Sequence, residues 1–118
     1  MTRDILYLDD DQQGRELGRK FLEREGYNVN THESPEEGIN CYQGEPVVIT
    51  DYIFEGEATG MDVAQALEDD AQVIIHTGYQ QDFVERNAGT EIPEDTIFVL
   101  KGGGYQEVLE EVNQAIKD

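Results

Sequence analysis

The sequence predicts an α/β fold built on a parallel sheet with helices on both faces, and three observations carry that prediction. Ile5-Leu6-Tyr7-Leu8, Val47-Val48-Ile49-Thr50 and Val73-Ile74-Ile75-His76 are short, nearly unbroken apolar runs, the pattern of strands buried on both sides. Stretches with apolar residues at helical spacing separate them. The runs, together with Thr96-Ile97-Phe98-Val99-Leu100, stop at Asp9-Asp10-Asp11, Asp51, Thr77 and Lys101, all residues able to do chemistry.

The elements follow in order. After the first strand, Leu17, Phe21 and Leu22 recur at helical spacing between Gln12 and about Glu25, and Gly26 stands where a helix stops. Tyr27-Asn28-Val29-Asn30-Thr31 alternates, as a more exposed strand does. Ser34-Pro35-Glu36-Glu37 supplies a capping hydroxyl, a first-turn proline and a reciprocal Glu for a helix through Ile39 and Cys41, ending near Gly44. Tyr52 to Gly60, with two glycines, reads as a loop; Met61 to Asp69 reads as a helix with Val63, Ala64 and Leu67 inward. A weaker helix pattern covers Asp82 to Asn87. Tyr105, Val108, Leu109, Val112 and Ile116 mark the stripe of a closing amphipathic helix. Five strands thus alternate with five helices, a length and pattern that suit one domain over residues 1–118.

Composition narrows the function. A net charge of −19 repels a phosphate backbone, so direct nucleic-acid binding is not expected. Such acid excess also suits a salt-rich medium, which screens self-repulsion. No window is long and apolar enough for a membrane span or a signal peptide, and the single cysteine, Cys41, fits a reducing compartment; a cytoplasmic location is expected. Half of the eight basic residues, Arg15, Arg19, Lys20 and Arg24, fall in one segment. Helix pairing explains them through Glu16–Lys20 and Arg19–Glu23, and a docking face is the sharper alternative.

In an open parallel sheet, the functional crevice lies beyond the carboxyl ends of the strands. Asp9, Asp10 and Asp51 converge there if their strands are neighbours. Two carboxylates ~4 Å apart repel by roughly 4 kcal/mol at an effective dielectric of about 20, so such a cluster calls for a proton or a cation. Hard oxygen ligands with room for water suit Mg²⁺. A carboxylate beside it can attack phosphorus to give an acyl phosphate, with Lys101 and Thr77 holding phosphoryl oxygens. Asp also caps turns and helices, so each acid alone has a bland explanation; together, at the ends of separate strands, they do not.

These residues resemble the receiver domains of response regulators, nearest to the stand-alone chemotaxis type, over the whole chain. The resemblance implies a flavodoxin-like, doubly wound sheet of strand order 2-1-3-4-5. It implies that Asp51 is the phospho-acceptor and that Asp10 is a direct Mg²⁺ ligand, with Asp9 assisting through water. The backbone carbonyl of Ile53 is a further implied ligand. Thr77 takes the role of switch hydroxyl, Lys101 that of phosphoryl-binding lysine, and Phe98 that of the aromatic that changes rotamer. Implied partners are a histidine kinase or phosphotransfer protein and a downstream protein target, met as a monomer or weak phosphorylation-dependent dimer. The chain departs from the family at Phe54-Glu55, where Met-Pro is common, and at Gly102-Gly103-Gly104, where a cis proline usually follows the lysine. A cis bond without proline costs ~3 kcal/mol, so Lys101–Gly102 is expected to be trans. Ile53 and Tyr79 stand two beyond Asp51 and Thr77, flanking the water path in the family, and imply a slow-decaying phosphoryl group.

The alternative is a pseudo-receiver, the same fold acting as an interaction module without phosphorylation. An aspartyl phosphohydrolase is disfavoured because its Asp-x-Asp signature needs an acid at position 53, where Ile53 stands. His32 and His76 lack metal-ligand spacing and read as satisfied structural histidines, and Cys41 as a core thiol. The triglycine lacks the Lys-Ser/Thr of a phosphate cradle.

Overall fold

The computed structural model describes residues 2–89 and 91–117. In chain order it comprises β1 (Asp4–Leu8), α1 (Gln12–Arg24), β2 (Asn28–His32), α2 (Pro35–Asn40), β3 (Val47–Thr50), α3 (Gly60–Leu67), β4 (Gln72–Thr77), α4 (Gln81–Asn87), β5 (Ile97–Leu100) and α5 (Gln106–Ala115). A short 3₁₀ turn over Lys101–Gly103 joins β5 to α5. The five strands form one parallel sheet of order β2-β1-β3-β4-β5. This is the doubly wound flavodoxin-like arrangement that the resemblance implied.

The unbroken apolar strands are explained by two cores. Ile5, Tyr7, Val47, Ile49, Ile74 and Val99 face Leu22 of α1 and Val108, Val112 and Ile116 at α5. Leu6, Leu8, Val48, Val73 and Ile75 face α3 and α4 through Met61, Val63, Ala64, Leu67 and Val84. Two glycines let helices approach β1 from opposite sides. A Cβ at Gly18 of α1 would lie 2.4 Å from the Tyr7 ring, and one at Gly38 of α2 would lie 2.5 Å from the Leu8 methyls.

The caps follow the sequence with adjustments. Asp11 caps α1 by accepting from Gly14 N at 3.1 Å. Ser34 caps α2 by accepting from Glu37 N at 3.1 Å, but the Glu37 carboxylate turns to His32 instead of closing the box. A reciprocal box forms instead at α3, between Thr59 and Asp62.

Two expectations are corrected. Leu17 is 60% exposed, because Gly18 and Leu22 form the buried stripe of α1 and rotate Leu17 outward. Cys41 is exposed at the end of α2, which stops at Asn40, so it is no core thiol. The segment after β3 is irregular, as expected, yet Tyr52 and Phe54 are buried in the α3–α4 core. On α1, Arg19 pairs with Glu23 at 3.2 Å as expected, while Glu16 reaches Arg19 at 2.7 Å rather than Lys20.

Candidate functional site

The strand order brings the ends of β1 and β3 together at the centre of the sheet, with β4 and β5 beside them. Register pairs Leu8 with Thr50 and Thr77 with Leu100, so Asp9 and Asp51 leave adjacent strands at the same level. Asp51 N donates to the Leu8 carbonyl at 3.1 Å, which fixes the Asp51 segment against β1. Gly60 opens α3 directly beneath it; a Cβ there would lie 2.2 Å from the Asp51 carbonyl oxygen.

Lys101 gathers the site. Its Nζ lies 2.7 Å from Asp51 Oδ2 and 3.5 Å from Asp9 Oδ2. Burial alone would pull the Lys101 pKa down, but the two carboxylates outweigh it and hold the ammonium above its ordinary range. Asp9 is buried, and that desolvation raises its carboxyl above the usual range despite an Asp11 N–H donating at 2.9 Å and the facing Lys101. Asp51 Oδ1 accepts from Tyr52 N at 2.7 Å, leaving Oδ2 to the lysine.

Asp10 is exposed and accepts from Glu55 N at 2.9 Å through Oδ2, tying the loop after Asp51 to the end of β1. Ile53 lies in that loop with its side chain 45% exposed. Thr77 is buried at the end of β4, where its Oγ accepts from Tyr79 N at 3.3 Å. Phe98 is half-buried on β5 and packs against the α3–α4 core. Tyr79 stacks on Phe83 at 4.8 Å and meets the Tyr52 ring edge-on at 6.2 Å. Every peptide bond is trans among the described residues, Lys101–Gly102 included.

Sequence reasoning missed several parts of this surround. Arg15 donates to the Asp9 carbonyl at 2.9 Å, and Gly14 leaves room for the Asp9 carboxylate, since a Cβ would lie 2.9 Å from Oδ2. Their helical spacing from Asp11 was the available signal. His76 is buried one residue before Thr77, and neither ring nitrogen makes a hydrogen bond of ordinary geometry. Burial and the nearby Lys101 push its pKa down to about 4. His76 is therefore an unsatisfied core histidine, not a satisfied one. His32 does find a partner in Glu37, at 3.0 Å.

No protein-family profile and no curated protein matches the chain. Solved structures do. The response regulator protein TrrA of Thermotoga maritima, solved in complex with Mg²⁺ and BeF, superposes with a TM-score of 0.82; it is 27% identical, covering 98% of this chain and 100% of its own. A response regulator receiver domain protein from Clostridium thermocellum gives a TM-score of 0.81 at 26% identity, over 98% of this chain and 94% of that one. The chain resembles response-regulator receiver domains over its whole length. A receiver protein of Sinorhizobium medicae shares the fold at 20% identity, with a TM-score of 0.81 over 97% of this chain and 94% of its own.

The acidic edge at the strand ends fits a hard divalent cation. The three carboxylates of Asp9, Asp10 and Asp51 face one cation, Lys101, among the described residues, while Arg15 reaches the Asp9 backbone carbonyl. Asp10 keeps one oxygen without a protein partner among the described residues. Those residues hold no cluster of three His, Cys, Asp or Glu able to cage a metal unaided. An ion here would complete its shell with backbone carbonyl and water, the manner of Mg²⁺.

Proposed function

We propose that this receiver is a Mg²⁺-dependent phosphorylation switch whose acceptor is Asp51, charged by a histidine kinase or phosphotransfer protein. The observation that carries the reading is Lys101 Nζ lying 2.7 Å from Asp51 Oδ2 while also facing Asp9. A lysine so placed holds the nucleophile in one orientation and stands ready for the charge of an incoming phosphoryl group. An Asp51 oxygen attacks phosphorus, the bond from phosphorus to the donor imidazole nitrogen breaks, and an aspartyl phosphate forms.

Asp9, Asp10, Asp51 and the Ile53 carbonyl are the residues to hold Mg²⁺, which supplies neutralisation of the phosphoryl oxygens when bound. Lys101 then transfers its hydrogen bond from the carboxylate to a phosphoryl oxygen. Thr77, whose hydroxyl bonds within its own turn at Tyr79 N, supplies a second donor by turning toward that oxygen. Phe98, half-buried and lining the groove beside Tyr79, is the side chain to follow. The groove bounded by Tyr79, Phe98 and Leu100 is the surface this movement alters, so output passes by contact with a downstream protein. The reading includes a cytoplasmic location. It is compatible with the described residues, whose helices are too short or polar to cross a membrane, and with a single unpaired cysteine.

The test is incubation with Mg²⁺ and acetyl phosphate, followed by intact-protein mass. The wild type should gain one phosphoryl group, and Asp51→Asn or chelation of the metal should prevent it. A wild type that stays unlabelled would instead place the chain among phosphorylation-independent interaction modules. The triglycine after Lys101 keeps that second reading in play.

A further inference from the structure

Lys101 opens a single 3₁₀ turn whose other residues bring no side chains to stiffen it. Gly102, Gly103 and Gly104 have no side chains, nothing lies within 4 Å of where their Cβ atoms would be, and Gly104 takes a left-handed φ of 74°. Glycine carries the largest backbone freedom of any residue, so three in a row leave the lysine little local stiffness beyond the one hydrogen bond that closes the turn. Upstream, Lys101 is held by pairing of Leu100 with Thr77. Downstream, Gly104 N closes the turn on the Lys101 carbonyl at 3.0 Å, and the first residue anchored by its side chain is Tyr105. Its ring stacks on Phe21 of α1 at 5.5 Å and tilts against His76 of β4 at 5.5 Å. Its hydroxyl donates to the Gly14 carbonyl at 3.4 Å and interacts with the buried Tyr7. His76 makes no polar bond of ordinary geometry, so this ring contact is a clear role for it.

We propose that Tyr105 is a positioning residue. By clamping the far end of the triglycine turn to Phe21, His76 and the Gly14 carbonyl, it fixes the arc on which Lys101 reaches Asp51. The clamp replaces stiffness that a rigid residue after the lysine would provide. It also ties that arc to the strand carrying Thr77 and to the helix beginning beside Asp9. The proposal deepens the phosphorylation reading and rests on it only for its kinetic consequence.

The experiment compares wild type, Tyr105→Leu, Tyr105→Ala and Tyr105→Ala with Gly102→Ala and Gly103→Ala. The added alanines meet no neighbour and need no positive φ, so they stiffen the turn without crowding it. NMR order parameters of the Lys101–Gly104 amides and of the Lys101 side chain are read alongside the acetyl phosphate labelling rate. Both single variants should loosen the turn and slow labelling by about tenfold, the scale of re-fixing one residue's backbone. The double alanine should recover most of both, a rescue that a merely destabilised fold would not show. Unchanged order parameters at Lys101–Gly104 in the single variants, or loosening that the alanines do not reverse, would overturn the clamp. A wild type that takes no phosphoryl group, yet loosens on Tyr105→Leu, would keep the clamp and reject the phosphorylation reading.

Discussion

Ile53 and Tyr79, two positions beyond Asp51 and Thr77, are bulky and 45% and 43% exposed respectively. Tyr79 is not free to swing, since it is stacked on Phe83 and braced by Tyr52. We propose that this pair screens an aspartyl phosphate on Asp51 from an attacking water. Ile53→Asn should therefore speed its decay by about threefold to tenfold, ~1 kcal/mol of barrier. Loss of label followed by mass decides the matter, and a decay no faster than wild type rejects the shield. His76 carries a second residue-scale prediction. Its pKa is held at about 4 in the folded chain against an ordinary 6.5, so between these values the unfolded chain binds the extra proton. Its contribution to stability is complete above 6.5 and is lost as the pH falls through that window, by up to about 3 kcal/mol. His76→Leu suits the same apolar setting and should flatten the slope in urea titrations run between roughly pH 7 and 4.5.

Among the elements, α1 shows packing overruling local preference. Alanine is a better helix former than glycine by about 1 kcal/mol, so Gly18→Ala ought to stabilise an isolated helix. Here the new methyl would lie 2.4 Å from the buried Tyr7 ring, which is enclosed by the sheet on one side and α1 on the other. Overpacking of this kind costs ~1–3 kcal/mol and wins. The variant should lower the urea midpoint by an amount equivalent to about 1–2 kcal/mol, with the slope of the transition unchanged. An unmoved or raised midpoint would show that α1 can slide outward at no cost. The same contact explains why Leu17 points to solvent. The helix turns its small residue to the strand, and the leucine before it is carried round.

For the molecule as a whole, charge dominates. A net charge of −19 sits on a body whose radius of gyration is 12.8 Å. At about 0.01 M salt the screening length is ~30 Å, so every like charge feels every other; at about 1 M it is ~3 Å and only neighbours interact. Raising salt across that range should stabilise the fold, with the melting temperature rising by roughly 4 °C for each ~1 kcal/mol relieved. Sodium chloride is the salt to use, because sulfate would also strengthen apolar burial. A flat or falling melting temperature would mean that surface pairs such as Arg19–Glu16 matter more than the overall repulsion.

The strands, their order of appearance and the polar residues that end them were legible in the sequence, because burial on both sheet faces demands unbroken apolar runs. Asp9, Asp51, Thr77 and Lys101 stood out for the same reason: polar side chains at the ends of such runs must leave the core together. Which strand lies beside which is a long-range choice without local signal, and it came through family resemblance. Only the tertiary structure decided that Lys101 grips Asp51 rather than solvent. It also decided that Asp10 ties down Glu55, that His76 is buried without a hydrogen bond of ordinary geometry, and that Tyr105 packs between α1 and β4. Each of these depends on surfaces from segments far apart in the chain meeting at contact distance, which no local pattern records.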